Sequence, residues 1–228
     1  MRYLASFVFV LLFAQSITSQ TYEVGIMLGG SNYIGDVGST TYIAPNDLAV
    51  GAIAKWNRSK RHAFRASFLY AELNADDAQG DARREARGLS FTNSVKEISV
   101  GLEFNFWDWY LYEYESQFTP YLYTGVTGFS YGAKAIDPTD NNRINTYSNR
   151  WNLAIPMVVG IKKTIGRHWI LGAEIGARYT FTDNLDGSNP DSGFDANKFG
   201  NLDNNDWYVF TGITLSFTWG RIPCYCAF

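Results

Sequence analysis

The chain has 228 residues, a formal net charge of −3 and only 18% charged residues, against about 25% in an average soluble domain. Aromatic residues make up 17% and there are 21 glycines, yet the mean hydropathy is −0.18. These figures exclude a bundle of membrane helices, give no basic footprint for nucleic acid, and fit β-structure that meets lipid on one face only.

The first nineteen residues stand apart. Arg2 is a positive n-region, Leu4 to Ala14 is almost purely apolar, and Gln15 to Gln20 is polar. This pattern predicts a cleavable signal peptide over 1–19, with the cut between Ser19 and Gln20, and a barrel over 20–228. The apolar run is shorter than the ~20 residues that a helical span needs. No cysteine lies near the cut, which argues against a lipoprotein.

From residue 20 onward the chain alternates with period 2, the signature of strands. Tyr22, Val24, Ile26 and Leu28 alternate with Glu23, Gly25, Met27 and Gly29. Leu48, Val50, Ala52, Ala54 and Trp56 alternate with Ala49, Gly51, Ile53 and Lys55. Phe64, Ala66, Phe68 and Tyr70 oppose Arg65, Ser67 and Leu69. Ile98, Val100, Leu102, Phe104 and Phe106 oppose Glu97, Ser99, Gly101, Glu103 and Asn105. Tyr121 to Tyr131 is a fifth strand whose facing stays unassigned, because both parities carry glycine and apolar residues. Leu153 to Lys162, Trp169 to Phe181 and Trp207 to Trp219 complete eight runs. Pro156, on the small and polar face of the sixth run, removes a ladder hydrogen bond and predicts a bulge or irregular register there.

The connections alternate long and short. Ser31 to Asn46, Ala75 to Ser94, Gly132 to Asn149 and Asp183 to Asn205 are long; Asn57 to His62 and Thr164 to His168 are short; Trp107 to Phe118 lies between. An even strand number with this rhythm predicts an all-β, eight-stranded antiparallel transmembrane barrel of the outer membrane, with both mature termini periplasmic. A soluble barrel of lipocalin type would reverse the faces. Two features oppose that. The apolar rows carry rings at their ends (Trp56, Phe106, Trp169 with Phe181, Trp207 with Trp219), as an aromatic girdle requires. The other face holds small residues with Glu23, Glu97, Glu103 and Glu174 against Lys55, Arg65, Lys162 and Arg178. Eight strands leave room for side chains only, so balanced charges predict an ion-paired, sealed lumen, with a selective channel as the other reading.

Chemistry-bearing motifs are scarce. The two histidines, His62 and His168, lie at the short-turn end, far from the acidic long loops. No nucleophile elbow, phosphate loop or zinc motif is present, so no enzyme, cofactor or small-molecule substrate is expected. The seventh connection carries Asp183, Asp186, Asp191, Asp195, Asp203 and Asp206 without the spacing of a calcium hand, which favours a solvated loop over a calcium site. Ala75 to Ser94 mixes both charge signs and reads as a mobile loop. Trp107, Trp109, Tyr110 and Tyr112 form a dense aromatic turn, either an interfacial belt or a docking surface for a periplasmic partner. Cys224 and Cys226 leave free thiols, an external partner or a strained bridge open. Terminal Phe228 is similar to the aromatic end that barrel-assembly machinery recognises.

Three stretches carry a family resemblance: Glu23 to Asp36; Ile155-Pro-Met-Val-Val-Gly-Ile-Lys162 running through Trp169 to Asp186, with its Arg-Tyr-Thr-Phe-Thr-Asp block; and Asn205 to Gly220. Together they resemble the PorG-like family of outer-membrane β-barrels of Bacteroidota, associated with the type IX secretion system. The resemblance implies an outer-membrane component that associates with the periplasmic ring complex of that machine, with outer-membrane lipid and secretion-machine subunits as partners. The tail departs from the family pattern: Pro223 precedes Cys224, and a second cysteine follows. The expectation from the residues and the resemblance together is a non-enzymatic anchor or docking component of protein secretion. The alternative is a stand-alone surface adhesin or narrow pore.

Overall fold

The computed structural model describes residues 21–39, 41–137, 143–190 and 192–220. The expected signal peptide and the tail with Cys224, Cys226 and Phe228 lie outside them. Eight strands form one closed antiparallel sheet: β1 (Thr21–Ile34), β2 (Asp47–Asn57), β3 (His62–Asp76), β4 (Ser90–Asn105), β5 (Phe118–Asp137), β6 (Arg143–Ile165), β7 (Trp169–Thr180) and β8 (Trp207–Gly220). Each pairs with the next in sequence. β8 closes on β1 through a register running from Thr21 opposite Gly220 to Ile34 opposite Trp207. Closure leaves no unpaired strand edge among the described residues.

The period-2 rows separate as the alternation requires. Val24, Ile26, Val100 and Val159 point outward and are exposed, while Glu23, Met27, Glu103 and Lys162 point inward and are buried. β5, unassigned from sequence, turns Tyr121, Tyr123, Thr127 and Phe129 inward and Leu122 and Val126 outward. The outer wall is therefore an apolar band and the inner wall a polar and aromatic one. Among the described residues no helix is long and apolar enough to cross a membrane.

Two connections differ from expectation. β3 and β4 stay paired out to Asp76 opposite Ser90, and β5 and β6 out to Asp137 opposite Arg143, so much of both long loops is hairpin. Within the Ala75 to Ser94 stretch the chain is held rather than loose. A 3₁₀ turn (Asp77–Gln79) and a short helix α1 (Ala82–Arg87) are capped by the side chains of Asp76 and Asp81. Arg87 clasps both carboxylate oxygens of Asp77, at 2.7 and 2.9 Å. The expected irregularity at Pro156 is also displaced. Pro156 stays in register opposite Arg178 on β7, and on the β5 side the ladder resumes on the same register after skipping Gly125 and Val126. The register shift falls instead between Ala133 and Lys134. A missing N–H costs one rung and need not add a residue, so the proline interrupts pairing without a bulge.

Glycine is required where β4 meets β5. Gly101 and Gly125 face each other, and a Cβ on either would strike the main chain of the other strand. Gly128, on the same strand, has open space around it. Gly125→Val is expected to reduce the fraction of folded, heat-modifiable barrel on a cold gel, whereas Gly128→Ala leaves it unchanged.

Candidate functional site

Several inward charges have small residues two positions away on the same strand, such as Gly101 beside Glu103, Gly160 beside Lys162, and Gly172 and Gly176 beside Glu174. The long side chains can therefore cross the lumen instead of clashing with their own wall. Glu103 of β4 lies at the centre. Lys162 Nζ approaches it at 2.6 Å, Lys55 Nζ at 2.9 Å and Arg65 Nη1 at 3.7 Å. Lys55 also meets Glu23 at 3.4 Å. Arg65 forks onto Glu174, both N–O distances being 2.8 Å, and Tyr121 donates its hydroxyl to the same carboxylate at 2.5 Å. These six residues form one network with three charges of each sign. The fourth pair is separate. Arg178 binds Glu97 through Nε at 3.2 Å and Nη2 at 2.9 Å, and Tyr208 donates to Glu97 at 2.6 Å. All eight side chains are buried and each meets an opposite charge, which is what makes their presence tolerable; Glu23 relies on its ion pair with Lys55 alone.

Rings complete the filling. Arg65 packs over Tyr123 at 4.7 Å, and Lys162 lies 4.8 Å from the ring of Trp109. Met27, Ile53, Leu69 and Phe210 make a dry layer that touches Arg65 on one side, through Met27, and Arg178 on the other, through Phe210. A larger apolar cluster, including Tyr33, Leu73, Phe91, Phe129 and Leu185, fills the long-loop end. The sequence reading missed both layers, because Met27, Ile53 and Leu69 sit singly among small or charged neighbours. Their parity with Glu23, Lys55 and Arg65 was the available signal.

The aromatic turn does something other than expected. Trp109 is 1% exposed and Leu111 4%, and together with Ile170 they pack into the barrel mouth at the short-turn end. Tyr112, in the left-handed region at φ 70°, packs against that cluster and lies edge-on to His168. Trp109 and Tyr112 are thus parts of an internal stopper, not free docking side chains. The reason is local: the β4–β5 connection leaves the wall at Phe106 and doubles back, its Trp109 N–H donating to the Lys60 carbonyl at 3.1 Å. Trp107 and Tyr114 remain exposed, and Lys60 bonds the Tyr110 hydroxyl at 2.9 Å.

The outward rings lie in two groups. At the short-turn end Trp56 meets Phe64, Trp169 meets Phe217, and Trp219 stacks on Tyr22. Phe106 is exposed at the same end. At the long-loop end Tyr179 touches both Phe181 and Trp207. From Trp169 to Phe181 the strand runs about 40 Å, which a barrel tilt reduces to about one hydrocarbon thickness.

The acidic seventh connection is not a uniformly solvated loop. Asp183, Asp186 and Asp206 are buried beneath it, while Asp203 is exposed. Burial and the nearby Asp186 and Asp36 push the Asp183 carboxyl up to about 7. Burial pushes Asp186 and Asp206 up as well.

The chain belongs to the family described as "Domain of unknown function (DUF6089)", whose model matches residues 2–228. No curated protein matches it by sequence. Among solved structures it is similar to the N-terminal β-barrel domain of Pseudomonas aeruginosa OprF, at 10% identity and a TM-score of 0.45, covering 89% of this chain and 98% of that one. It is similar to Neisserial surface protein A at 8% identity and 0.47, covering 87% and 96%. A major outer membrane protein of Thermus thermophilus follows at 13% and 0.44, covering 88% and 100%.

Removing one member of a buried pair strands the other. Arg178→Met should cost about 3–5 kcal/mol in urea unfolding from lipid vesicles, because Glu97 keeps only Tyr208. The double variant Arg178→Met with Glu97→Gln should recover a large part of that loss, which a double-mutant cycle would read directly.

Proposed function

We propose that this protein is a sealed, non-enzymatic outer-membrane barrel that anchors or docks subunits of a type IX protein-secretion machine. The observation that carries the reading is the filled lumen. An eight-charge core lies between a stopper of Trp109 and Leu111 and an apolar cap around Leu185. A barrel filled in this way is a membrane-embedded mount, and its outer band of Val, Ile, Leu and Phe is the surface that lipid would solvate. The secretion role rests on the resemblance of the Ile155 to Lys162 strand and the Arg178 to Asp183 block to the PorG-like family.

On this reading the short-turn end faces the periplasm and must present the docking surface. With Trp109 and Tyr112 committed to the stopper, the remaining features are the exposed Trp107 and Tyr114 rings and the Arg61–Asp108 pair beside them. Arg167 lies over the Tyr114 ring at 3.8 Å, holding it at the rim. Aromatic anchors of this kind dominate interface energetics. The stand-alone reading, in which the long-loop end meets partners outside the cell, differs in which end carries the function.

Co-purification after mild detergent extraction separates the two. Periplasmic ring or translocon subunits should be recovered with the barrel. Trp107→Ala with Tyr114→Ala should lower that recovery, by about thirtyfold in affinity or more if one of the rings is an anchor, while leaving the heat-modifiable form intact. Recovery unchanged in this variant but lost on trimming a long loop would reverse the docking face. In planar bilayers the wild-type barrel should show no steady conductance, and Trp109→Ala should cost stability before it opens a path.

A further inference from the structure

The segment following β7 turns into the barrel mouth and buries side-chain oxygens that the described residues leave poorly satisfied. Both carboxylate oxygens of Asp183, Oδ2 of Asp186 and Oδ1 of Asn184 are buried and have no hydrogen-bond partner of ordinary geometry among the described residues. Asp183, Asn184 and Asp186 are 9%, 6% and 0% exposed. The Asn184 amide nitrogen donates to the Tyr147 hydroxyl at 3.0 Å, which fixes the opposite direction for its oxygen. Asp183 and Asn184 line one polar cavity of about 460 Å³, with Asn189 and Asn205 on its wall and Arg150 also lining it.

Three nearby cations, Arg87, Arg84 and Lys134, are committed elsewhere. Arg87 holds Asp77 and the Asp36 carbonyl. Arg84 donates to the carbonyls of Gly38 and Gly35 at 2.6 and 3.0 Å. Lys134, packed beside Gly187, gives its amine to Thr146 Oγ1 at 2.7 Å. Asp206 is satisfied by the Tyr33 hydroxyl and by the Leu185 N–H at 2.9 Å, so it offers the cluster no free oxygen. Four buried acceptors remain here, all of them hard oxygens without a hydrogen bond of ordinary geometry among the described residues, with the Asn189 side chain approaching Asp183.

We propose that Asp183, Asn184 and Asp186 bind a divalent cation of the calcium type, which ties the segment after β7 to the mouth of the barrel. Calcium takes six to eight oxygens in adaptable geometry and accepts carboxylate, amide and main-chain carbonyl oxygens together. That breadth is needed here. Among the described residues no three acidic, histidine or cysteine side chains are grouped so as to hold a metal ion, so the proposed site depends on the Asn184 amide oxygen and would need main-chain carbonyls and water to complete it. A magnesium-sized ion, with its demand for near-ideal octahedra, fits less well. The ion would neutralise carboxylates that otherwise sit close together in a buried site. This inference is independent of the secretion role.

The test uses the whole folded barrel in detergent, with Tb³⁺ alone as the first probe. Tyrosine-sensitised emission should rise saturably and be displaced by Ca²⁺. Asp183→Asn with Asp186→Asn should weaken Tb³⁺ binding by about tenfold or more, or ~1.4 kcal/mol, while Asp203→Asn, exposed in the same connection, binds as wild type. Ca²⁺ should slow proteolytic cleavage between Asp183 and Asn205 in the wild type and not in the double variant. Because that variant removes repulsion, it should retain the heat-modifiable barrel. Absence of saturable emission, or equal emission from wild type and double variant, overturns the proposal. So does protection by mild acid alone with no response to Ca²⁺, which would make protons the neutralising species.

Discussion

The structure depends on burying charge inside a cylinder too narrow for water-filled space. A barrel of eight strands cannot be left hollow, and its inner wall faces no solvent. Glu103 shows how the constraint is met. Three cations from three different strands (Lys55 on β2, Arg65 on β3 and Lys162 on β6) converge on one carboxylate from β4. The contact fixes the relative positions of strands that are not neighbours in the sheet. The main-chain ladder sets each strand against the next; the network sets one wall against the opposite wall.

The layers above and below follow from that centre. Charges in a low-dielectric site attract strongly but lose their hydration, so the network is favourable only if water is kept out and remaining donors and acceptors are filled. Tyr121 and Tyr208 complete the two carboxylates that arginine alone leaves open. The Trp109 stopper and the apolar cluster around Leu185 close the two ends. The proposed role as a mount follows from this filling, since the packing that stabilises the barrel also occupies its interior. The Asp183 to Asp206 region is the exception. There the buried Asp183, Asp186 and Asp206 are not held in a charge network like that of the lumen, and the proposed ion would supply what the lumen supplies from its own strands.

The external surface obeys the opposite requirement. Inside, polar groups are tolerated because they are paired; outside, apolar groups are exposed because no protein covers them. The two rings of aromatics sit where those regimes meet, with Tyr22 and Trp219 at one end and Tyr179 and Trp207 at the other. The same alternation that segregates charge from hydrocarbon explains why a chain with a mean hydropathy of −0.18 can carry a continuous apolar band.

By itself the sequence determined the number of strands, their facing in seven of eight cases, and the eight residues that carry the lumen charge, because side-chain parity along a strand is a local property. It could not assign β5, where glycine lies on both parities, nor find the bulge at Ala133 and Lys134, which answers to a partner strand and not to a residue type. It read Trp109 and Tyr112 as surface because a dense aromatic turn looks alike whether it faces a partner or folds back into its own barrel. It read the acidic connection as solvated because aspartate burial depends on where the chain is led after β7. Which glutamate meets which cation, what closes each end and which carboxylates go unpartnered are long-range facts. They were decided only when the sheet closed and brought β2, β3, β4, β6 and β7 around one axis.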